Sequence, residues 1–179
     1  MSFQSSRKSI AAISLLALCI VPIALALYVQ QRHIFDPLPI GQKVPSFAAT
    51  SLDGDAFVLD RVAGRKLLLL LFAAGCNHCR MEIGNLEELR VKYENRIDIV
   101  GISLDDSNAT DALRRELNVR FPILLDDNKI LRRMLRPGFV PAIYCIDEFQ
   151  ILRHYVAGEH SLAFDDRLIE EFVSTPFTH

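Results

Sequence analysis

The stretch that decides the fold is Lys66-Leu-Leu-Leu-Leu-Leu-Phe72, then Ala73-Ala-Gly-Cys-Asn-His-Cys79, then Arg80 to Tyr93. The run Lys66 to Phe72 is too apolar for a half-exposed strand and is typical of a central strand covered on both faces. The stretch Arg80 to Tyr93 carries apolar residues at helical spacing, namely Ile83, Leu86, Leu89 and Tyr93. The sequence therefore predicts a buried strand that leads into a helix, with Cys76-Asn77-His78-Cys79 where the helix begins.

Two thiols three positions apart at the start of a helix can close and open a small disulfide ring. Unsatisfied backbone N–H groups and the positive end of the helix dipole stabilise a thiolate there, and the thiolate is the nucleophile in disulfide exchange. We therefore expect Cys76 to attack, and Cys79, one turn deeper, to resolve the mixed disulfide. The motif predicts a catalytic pair that forms a redox disulfide.

Two other interpretations of this motif are half of a structural zinc site and an inert structural disulfide. Zinc normally takes four ligands, and the chain has no second CxxC or HxxxH spacing to provide the other pair. Redox chemistry is therefore the favoured interpretation, and no metal is expected at the motif.

The N-terminal region contains an uncharged apolar run from Ile10 to Val29, preceded by Arg7 and Lys8. Its length matches the roughly 20 residues of a bilayer-spanning helix. The basic residues before the run place the N-terminus in the cytoplasm by the positive-inside rule. The sequence therefore predicts a cytoplasmic segment over residues 1–9, a single-pass transmembrane anchor over residues 10–29, a linker over residues 30–40, and one domain over residues 41–179 on the periplasmic or extracytoplasmic side.

A cleaved signal peptide is the competing interpretation, because Ala24-Leu25-Ala26 provides a small-residue cleavage site. However, the apolar run continues through Leu27, Tyr28 and Val29, and it exceeds the roughly 7–15 apolar residues of a signal peptide. An uncleaved anchor is therefore favoured.

The charge of the predicted exported part argues against one class of partner. The first 31 residues hold two basic and no acidic groups, which leaves 18 basic against 22 acidic groups in the remainder. There is no basic stripe and no alternation of basic with aromatic residues, so binding to nucleic acid is not expected.

From Gly41 onward, apolar segments alternate with amphipathic ones, which predicts an α/β domain with a central sheet flanked by helices. Asp53-Gly54 is a turn between two extended segments. Asn108 is the expected cap of the second helix. The predicted strands are Phe47–Thr50, Ala56–Leu59, Lys66–Phe72, Ile97–Leu104, Phe121–Leu125, Ala142–Ile146 and Ile151–Val156, and the predicted helices are Arg80–Tyr93, Asn108–Leu117, Lys129–Leu135 and Leu162–Val173.

This order resembles the thioredoxin fold, and the motifs resemble those of the membrane-anchored TlpA and ResA family of thiol-disulfide oxidoreductases, whose domain is redoxin-like (AhpC/TSA-like). The resemblance covers residues 41–173. It rests on Gly41–Phe47 with Leu52–Gly54, Cys76–Glu82, Val100–Asp105, Phe121–Asp126 and Gly138–Tyr144, in the order of the family.

The resemblance implies a mixed central sheet and an enzyme that needs no organic cofactor. It implies a cis peptide bond before Pro141, facing the thiols, with Val140 and Pro141 binding an extended substrate segment. Expected partners are protein thiols and disulfides, and a membrane or soluble redox partner. By analogy with the family, cytochrome c or metalloenzyme maturation is the expected setting.

Two residues near the thiols carry further expectations. His78 stands where the family usually has proline, and its imidazole would favour the Cys76 thiolate and so raise the reduction potential. Glu82 matches a family glutamate thought to assist proton transfer near the resolving thiol. A second interpretation of Glu82 is a first-turn residue that only complements the helix dipole.

Two alternative functions remain from the sequence. A peroxiredoxin-type peroxidase shares the Gly41–Phe47 entry, but such enzymes have threonine where this chain has Ala73. A Sco-like copper carrier would use the thiols together with His154 and His160, but that family spaces its cysteines CxxxC. The remaining Cys145 is expected to be a buried apolar residue without a catalytic role.

Overall fold

The computed structural model describes residues 19–26 and 36–177. The chain divides into two compact units, Met1–Asp36 and Pro37–His179. In the first unit, residues 19–26 form a helix, α1. Within the described residues, no helix is long and apolar enough to cross a membrane. The predicted span over residues 10–29 lies mostly outside the described residues and stays a prediction.

The second unit alternates strands and helices in the order that the sequence predicts. Its elements are β1 (Ala48–Thr50), β2 (Ala56–Val58), a 3₁₀ turn (Leu59–Val62), β3 (Leu67–Phe72), α2 (Asn77–Tyr93), β4 (Asp98–Ser103), α3 (Ser107–Leu117), β5 (Ile123–Leu125), α4 (Ile130–Leu135), β6 (Ala142–Ile146), β7 (Leu152–Ala157) and α5 (Leu162–Ser174).

The central sheet has five strands in the order β5-β4-β3-β6-β7. Strands β3, β4 and β5 are parallel, and β6 and β7 are antiparallel to their neighbours. Strands β1 and β2 form a separate antiparallel hairpin. The mixed sheet and its order are those implied by the resemblance to the thioredoxin fold.

Strand β3 lies in the middle of the sheet, and all six of its residues are buried. Alternate side chains point to opposite faces of a strand. Leu68, Leu70 and Phe72 pack with α2, α3 and α5 in one apolar cluster. The intervening leucines at 67, 69 and 71 pack with α4 and the hairpin in a second cluster. Helices cover one face of β3, and α4 with the hairpin covers the other, which explains why every residue of the strand is apolar.

Gly101 lies in β4 beside this core. A Cβ atom at this position would lie 3.0 Å from the Phe72 ring and 3.1 Å from the Phe121 ring. Such contacts are tighter than most Cβ contacts in a close-packed interior, so any larger residue would require the two rings to shift by a few tenths of an ångström.

Several predicted boundaries are corrected by the structure. The second helix begins at Ser107, and its cap is Asp106, whose carboxylate accepts the Ala109 N–H at 2.9 Å. Asn108 therefore lies inside the first turn and is not the cap. Strand β5 begins only at Ile123, after Pro122, which lacks the N–H that a sheet position needs.

Candidate active site

Cys76 is the N-cap of α2, at the carboxyl end of the central strand. Its backbone is extended, and its Sγ accepts the Cys79 N–H at 3.2 Å. The side chain is half-buried. The helix begins at Asn77 and not at Arg80, so both thiols lie at its start. This arrangement exposes one sulfur to a partner and points a backbone donor at it.

Cys79 occupies the first turn of the same helix but a different environment. It is fully buried and belongs to the apolar cluster beneath α2. Burial, and after it the hydrogen bond with Cys76, raise the pKa of the Cys79 thiol to about 12. The second thiol therefore needs a proton acceptor before it can act as a nucleophile.

The loop that carries Cys76 is held from two sides. The Ala74 N–H donates to the Asp105 carboxylate at 2.5 Å, which joins the loop to the segment that follows β4. The Cys76 N–H donates to the Ala73 carbonyl at 3.2 Å. These bonds fix the turn from β3 into α2.

The segment before β6 faces the exposed sulfur. The Cys76 thiol lies 4.0 Å from the Val140 carbonyl oxygen. The Val140–Pro141 peptide bond is cis, as predicted. Strand β6 begins only at Ala142, so Val140 lies outside the strand ladder while its side chain packs on the core.

Glu82 lies one turn after Cys79 on the buried side of α2. Its side chain is fully buried, and the first turn of α2 contains no acidic residue. The interpretation of Glu82 as a first-turn, dipole-complementing residue is therefore wrong, because Glu82 comes after that turn. Burial raises the pKa of the Glu82 carboxyl to about 8, although the His160 N–H, which donates to Oε2 at 3.0 Å, acts against this shift.

Two residues beside Glu82 were not predicted to lie there: the sequence suggests His160 only as a copper ligand, and it does not single out Asp165. His160 precedes α5, and its Nδ1 lies 3.9 Å from Glu82 Oε1. Asp165, on α5, is fully buried and accepts the Asn85 side-chain N–H at 2.9 Å. Asp165 shares the apolar stripe of its helix with Leu168, Ile169 and Phe172, and a carboxylate on such a stripe was the signal that could have identified it.

His78 lies at the surface of the motif. Its side chain is 73% exposed, and its Nδ1 lies 2.5 Å from Glu159 Oε2. The imidazole is thus next to the helix start, as the sequence indicates, but a carboxylate from the segment before α5 partners it.

Cys145 is buried, as the sequence predicts. Cys145 is fully buried in β6, where burial raises its pKa above the ordinary value. His154, on the neighbouring strand, packs edge-on against Phe172 with ring centroids 5.8 Å apart. Cys145 therefore has no exposed surface through which a protein partner could reach its thiol.

Across residues 19–26 and 36–177, one group of three side chains offers donor atoms close enough together for a metal ion. It consists of Glu82, His160 and Asp165, whose donor atoms lie within 4.8 Å of one another. Neither Cys76 nor Cys79 belongs to this group, so the geometry does not join the thiols to a histidine as a copper carrier would require.

Comparison with known proteins agrees with this geometry. The chain is 26% identical over 122 residues to the thioredoxin-like protein YneN of Bacillus subtilis, which covers 66% of this chain and 71% of that protein. It is 23% identical over 128 residues to the thiol-disulfide oxidoreductase ResA of Bacillus thuringiensis, covering 70% of this chain and 74% of ResA.

Among solved structures, a secreted Mycobacterium tuberculosis disulfide oxidoreductase homologous to E. coli DsbE superimposes with a TM-score of 0.65. It is 19% identical and covers 70% of this chain and 95% of that one. This likeness establishes the fold as thioredoxin-like. The AhpC/TSA family model matches residues 40–155, which is more than half of the sequence and includes both thiols of the motif, so the chain belongs to the AhpC/TSA family.

Proposed function

We propose that this chain is a thiol-disulfide oxidoreductase that exchanges disulfides with protein substrates through Cys76 and Cys79. The observation that carries the proposal is the contrast between the two sulfurs. Cys76 is half-buried at the start of α2 with an N–H pointed at its sulfur, whereas Cys79 is fully buried beneath it. One sulfur can meet a substrate, and the other can react only with its neighbour.

In the reducing direction, the Cys76 thiolate attacks a substrate disulfide. A Cys76–substrate bond forms, the substrate disulfide breaks, and the first substrate sulfur leaves with the electron pair and takes a proton from water. The Cys79 thiol then gives its proton to the Glu82 carboxylate and attacks Cys76 Sγ. The second substrate sulfur leaves, and two electrons have passed to the substrate.

In the oxidising direction the same steps run backwards. A substrate thiolate attacks Cys76 of the protein disulfide, and Cys79 leaves as a thiolate in an apolar environment. Because burial disfavours that charge, a proton from Glu82 stabilises the product. Glu82 thus acts as general base in one direction and general acid in the other.

The substrate segment is proposed to lie along Val140. The Val140 carbonyl is next to the Cys76 sulfur and outside the strand ladder, so an extended peptide can pair with this backbone by hydrogen bonds. Phe139, the residue before Val140, is 62% exposed and provides an apolar surface next to this segment.

The activity is tested by reduction of insulin with dithiothreitol as electron source, or by oxidation of a reduced, unfolded protein. Turnover that depends on both thiols supports the proposal. A rate equal to that of Cys76→Ala would overturn it. Consumption of hydrogen peroxide faster than disulfide exchange would assign the peroxidase alternative, and stoichiometric Cu⁺ binding by the reduced motif without exchange would assign the carrier.

The reduction potential of the Cys76/Cys79 couple assigns the direction. A value near that of thioredoxin, about −270 mV, identifies a reductant, and one near that of DsbA, about −120 mV, identifies an oxidant. A reducing value is the one compatible with a role in cytochrome c or metalloenzyme maturation, where cysteines must be kept reduced before the haem or metal is bound.

The site of action is proposed to be the extracytoplasmic face of the membrane, with residues 10–29 as an uncleaved anchor. The support is the uncharged run after Arg7 and Lys8. A phosphatase reporter fused after His179 is expected to be active, with the chain in the membrane fraction and its N-terminus intact. A mature N-terminus at Leu27 would instead identify a cleaved, exported enzyme.

A further inference from the structure

Two fully buried carboxylates face each other beneath the resolving thiol. Glu82 comes from α2 and Asp165 from α5, and both have no exposed surface. Each carboxylate has one oxygen with a hydrogen-bond donor. Glu82 Oε2 accepts the His160 N–H at 3.0 Å, and Asp165 Oδ2 accepts the Asn85 side-chain N–H at 2.9 Å.

The other oxygen of each carboxylate has no hydrogen-bond partner among the described residues. These atoms are Glu82 Oε1 and Asp165 Oδ1, and His160 Nδ1 is unpartnered in the same way. The donor atoms of these three side chains lie within 4.8 Å of one another. The three side chains therefore lie together in one cluster, and each of them carries a polar atom without a hydrogen-bond partner.

Two negative charges this close together in an apolar interior are strongly unfavourable. A proton bound to one carboxylate removes a charge and becomes the hydrogen-bond donor that the facing oxygen lacks. The charged or titratable groups around Glu82 are Asp165 from α5, His160 and Glu159 from the segment before α5, and Cys79 on its own helix. Both carboxyl groups have a raised pKa, with burial as the largest cause.

We propose that Asp165 is a positioning residue for disulfide exchange. Asp165 shares one proton with Glu82 between the two carboxylates, and this sharing makes Glu82 a stronger base toward the Cys79 thiol. The inference rests on the proposed function of Cys76 and Cys79. It adds a residue that touches neither sulfur and that acts only through Glu82.

The pair affects one defined step. When a substrate thiolate bonds to Cys76, the Cys76–Cys79 bond breaks and Cys79 leaves with the electron pair. The proton shared by the carboxylates moves to the Cys79 sulfur, which leaves both carboxylates negative until one takes a proton from water. In the reverse step the pair first releases its proton to water, and the Cys79 proton then moves to the doubly negative pair as the disulfide closes.

The titration of Glu82 tests the sharing directly. In the full chain in detergent, with glutamate and aspartate side-chain carboxyls labelled with carbon-13, the Glu82 resonance is expected to titrate in the region of pH 8. In Asp165→Asn the midpoint should fall by at least about one pH unit, because a like charge is lost and an amide N–H faces Glu82. Asp166→Asn is the matched control, since Asp166 neighbours Asp165 but pairs with Lys92 and Tyr93.

A kinetic readout separates positioning from a structural role. The reduced protein reacts with an aromatic disulfide in two phases, first at Cys76 and then as Cys79 resolves the mixed disulfide. In Asp165→Asn the second phase should reach a lower plateau, with its inflection moved to lower pH. The first phase, and both phases in Asp166→Asn, should keep the pH profile of the unmodified chain.

Three outcomes overturn the proposal. One is a Glu82 midpoint near 4.5 in the unmodified chain, which is readable even if Asp165→Asn fails to fold. Another is an unchanged midpoint and second-phase profile in a folded Asp165→Asn protein. The third is tight binding of Zn²⁺ by a Cys76→Ala, Cys79→Ala chain that is lost in Asp165→Asn, since a cation would then occupy the space between the carboxylates. Absence of the first phase would count against the proposed exchange activity and not against the shared proton.

Discussion

The mouth of the active site, formed by Cys76, His78 and Val140, differs from its floor, formed by Cys79, Glu82 and Asp165. The four of these residues that belong to α2 or its cap lie within about two turns of each other. Residues of the mouth are exposed or half-buried, and those of the floor have no accessible surface. Residues of the mouth can therefore contact a protein substrate, and residues of the floor cannot. The floor instead controls the protonation of Cys79, Glu82 and Asp165, because burial makes a charge on any of them energetically costly.

The largest effect is expected from removing either of the two thiols. Cys79→Ala should accumulate mixed disulfides through Cys76, because the half-buried sulfur still attacks but nothing resolves the product. Cys76→Ala should abolish exchange entirely, because Cys79 has no access to substrate. Mass spectrometry of trapped complexes measures both. Trapping through Cys79 in the Cys76→Ala protein would reverse the assignment, and Cys145→Ala serves as the control that should exchange normally.

A second prediction concerns the stability of the floor. The folded-state pKa of Glu82, about 8, lies above its ordinary value of 4.5. Its contribution to the free energy of unfolding is therefore complete below pH 4.5 and is lost as the pH rises through 8. At about 1.4 kcal/mol per pH unit, the loss is on the order of 5 kcal/mol.

Denaturant unfolding at pH 5 and pH 9 measures this loss. The unmodified chain should lose stability on going to pH 9 relative to Glu82→Gln, which carries no titrating group at this position. Equal pH dependence in the two proteins would show that Glu82 ionises in the folded state as it does in water.

The third prediction is that Glu82→Gln slows the Cys79 step by about 100-fold, at the low end of general acid–base effects. The amide fills the same space but cannot take the Cys79 proton. The attack of Cys76 on substrate should keep its rate, since Cys76 lies in the mouth. Stopped-flow single turnovers resolve the two steps. Glu88→Gln, an exposed change on the same helix, should alter neither step, and an equal slowing of both steps in Glu82→Gln would indicate a structural defect.

The smallest effect is expected at His78. If its imidazole favours the Cys76 thiolate, His78→Pro should lower the reduction potential by tens of millivolts, where about 30 mV is a tenfold change in equilibrium. Proline is tolerated in the first turn of a helix, where its missing N–H is not needed. Redox titration against glutathione measures the change.

A second variant at the same position separates charge from backbone effects. His78→Gln removes the ionisable ring but keeps the backbone N–H, and it should change the potential in the same direction. If both variants keep the potential of the unmodified chain, the Glu159 partner already offsets the imidazole, and His78 is a bystander at the surface.

Parts of this comparison could be predicted from sequence, because they depend on neighbours in the chain. The two thiols are placed at the helix start by the run Leu67–Phe72 and the helical spacing that follows it. The sequence predicts Asn108 as the cap of α3, whereas the structure has Asp106, because several residues that favour caps stand side by side there and only the backbone decides among them.

The floor is different, because its residues come from distant parts of the chain. Glu82 and Asp165 are separated by 83 positions, and only the packing of α5 beside α2 on one face of the sheet brings their oxygens together. Local sequence determined the central strand, the helix and the attacking sulfur, since apolar runs and helix starts act through near neighbours. The tertiary structure decided which carboxylates are buried and which of them meet, because desolvation and charge repulsion depend on what lies close in space.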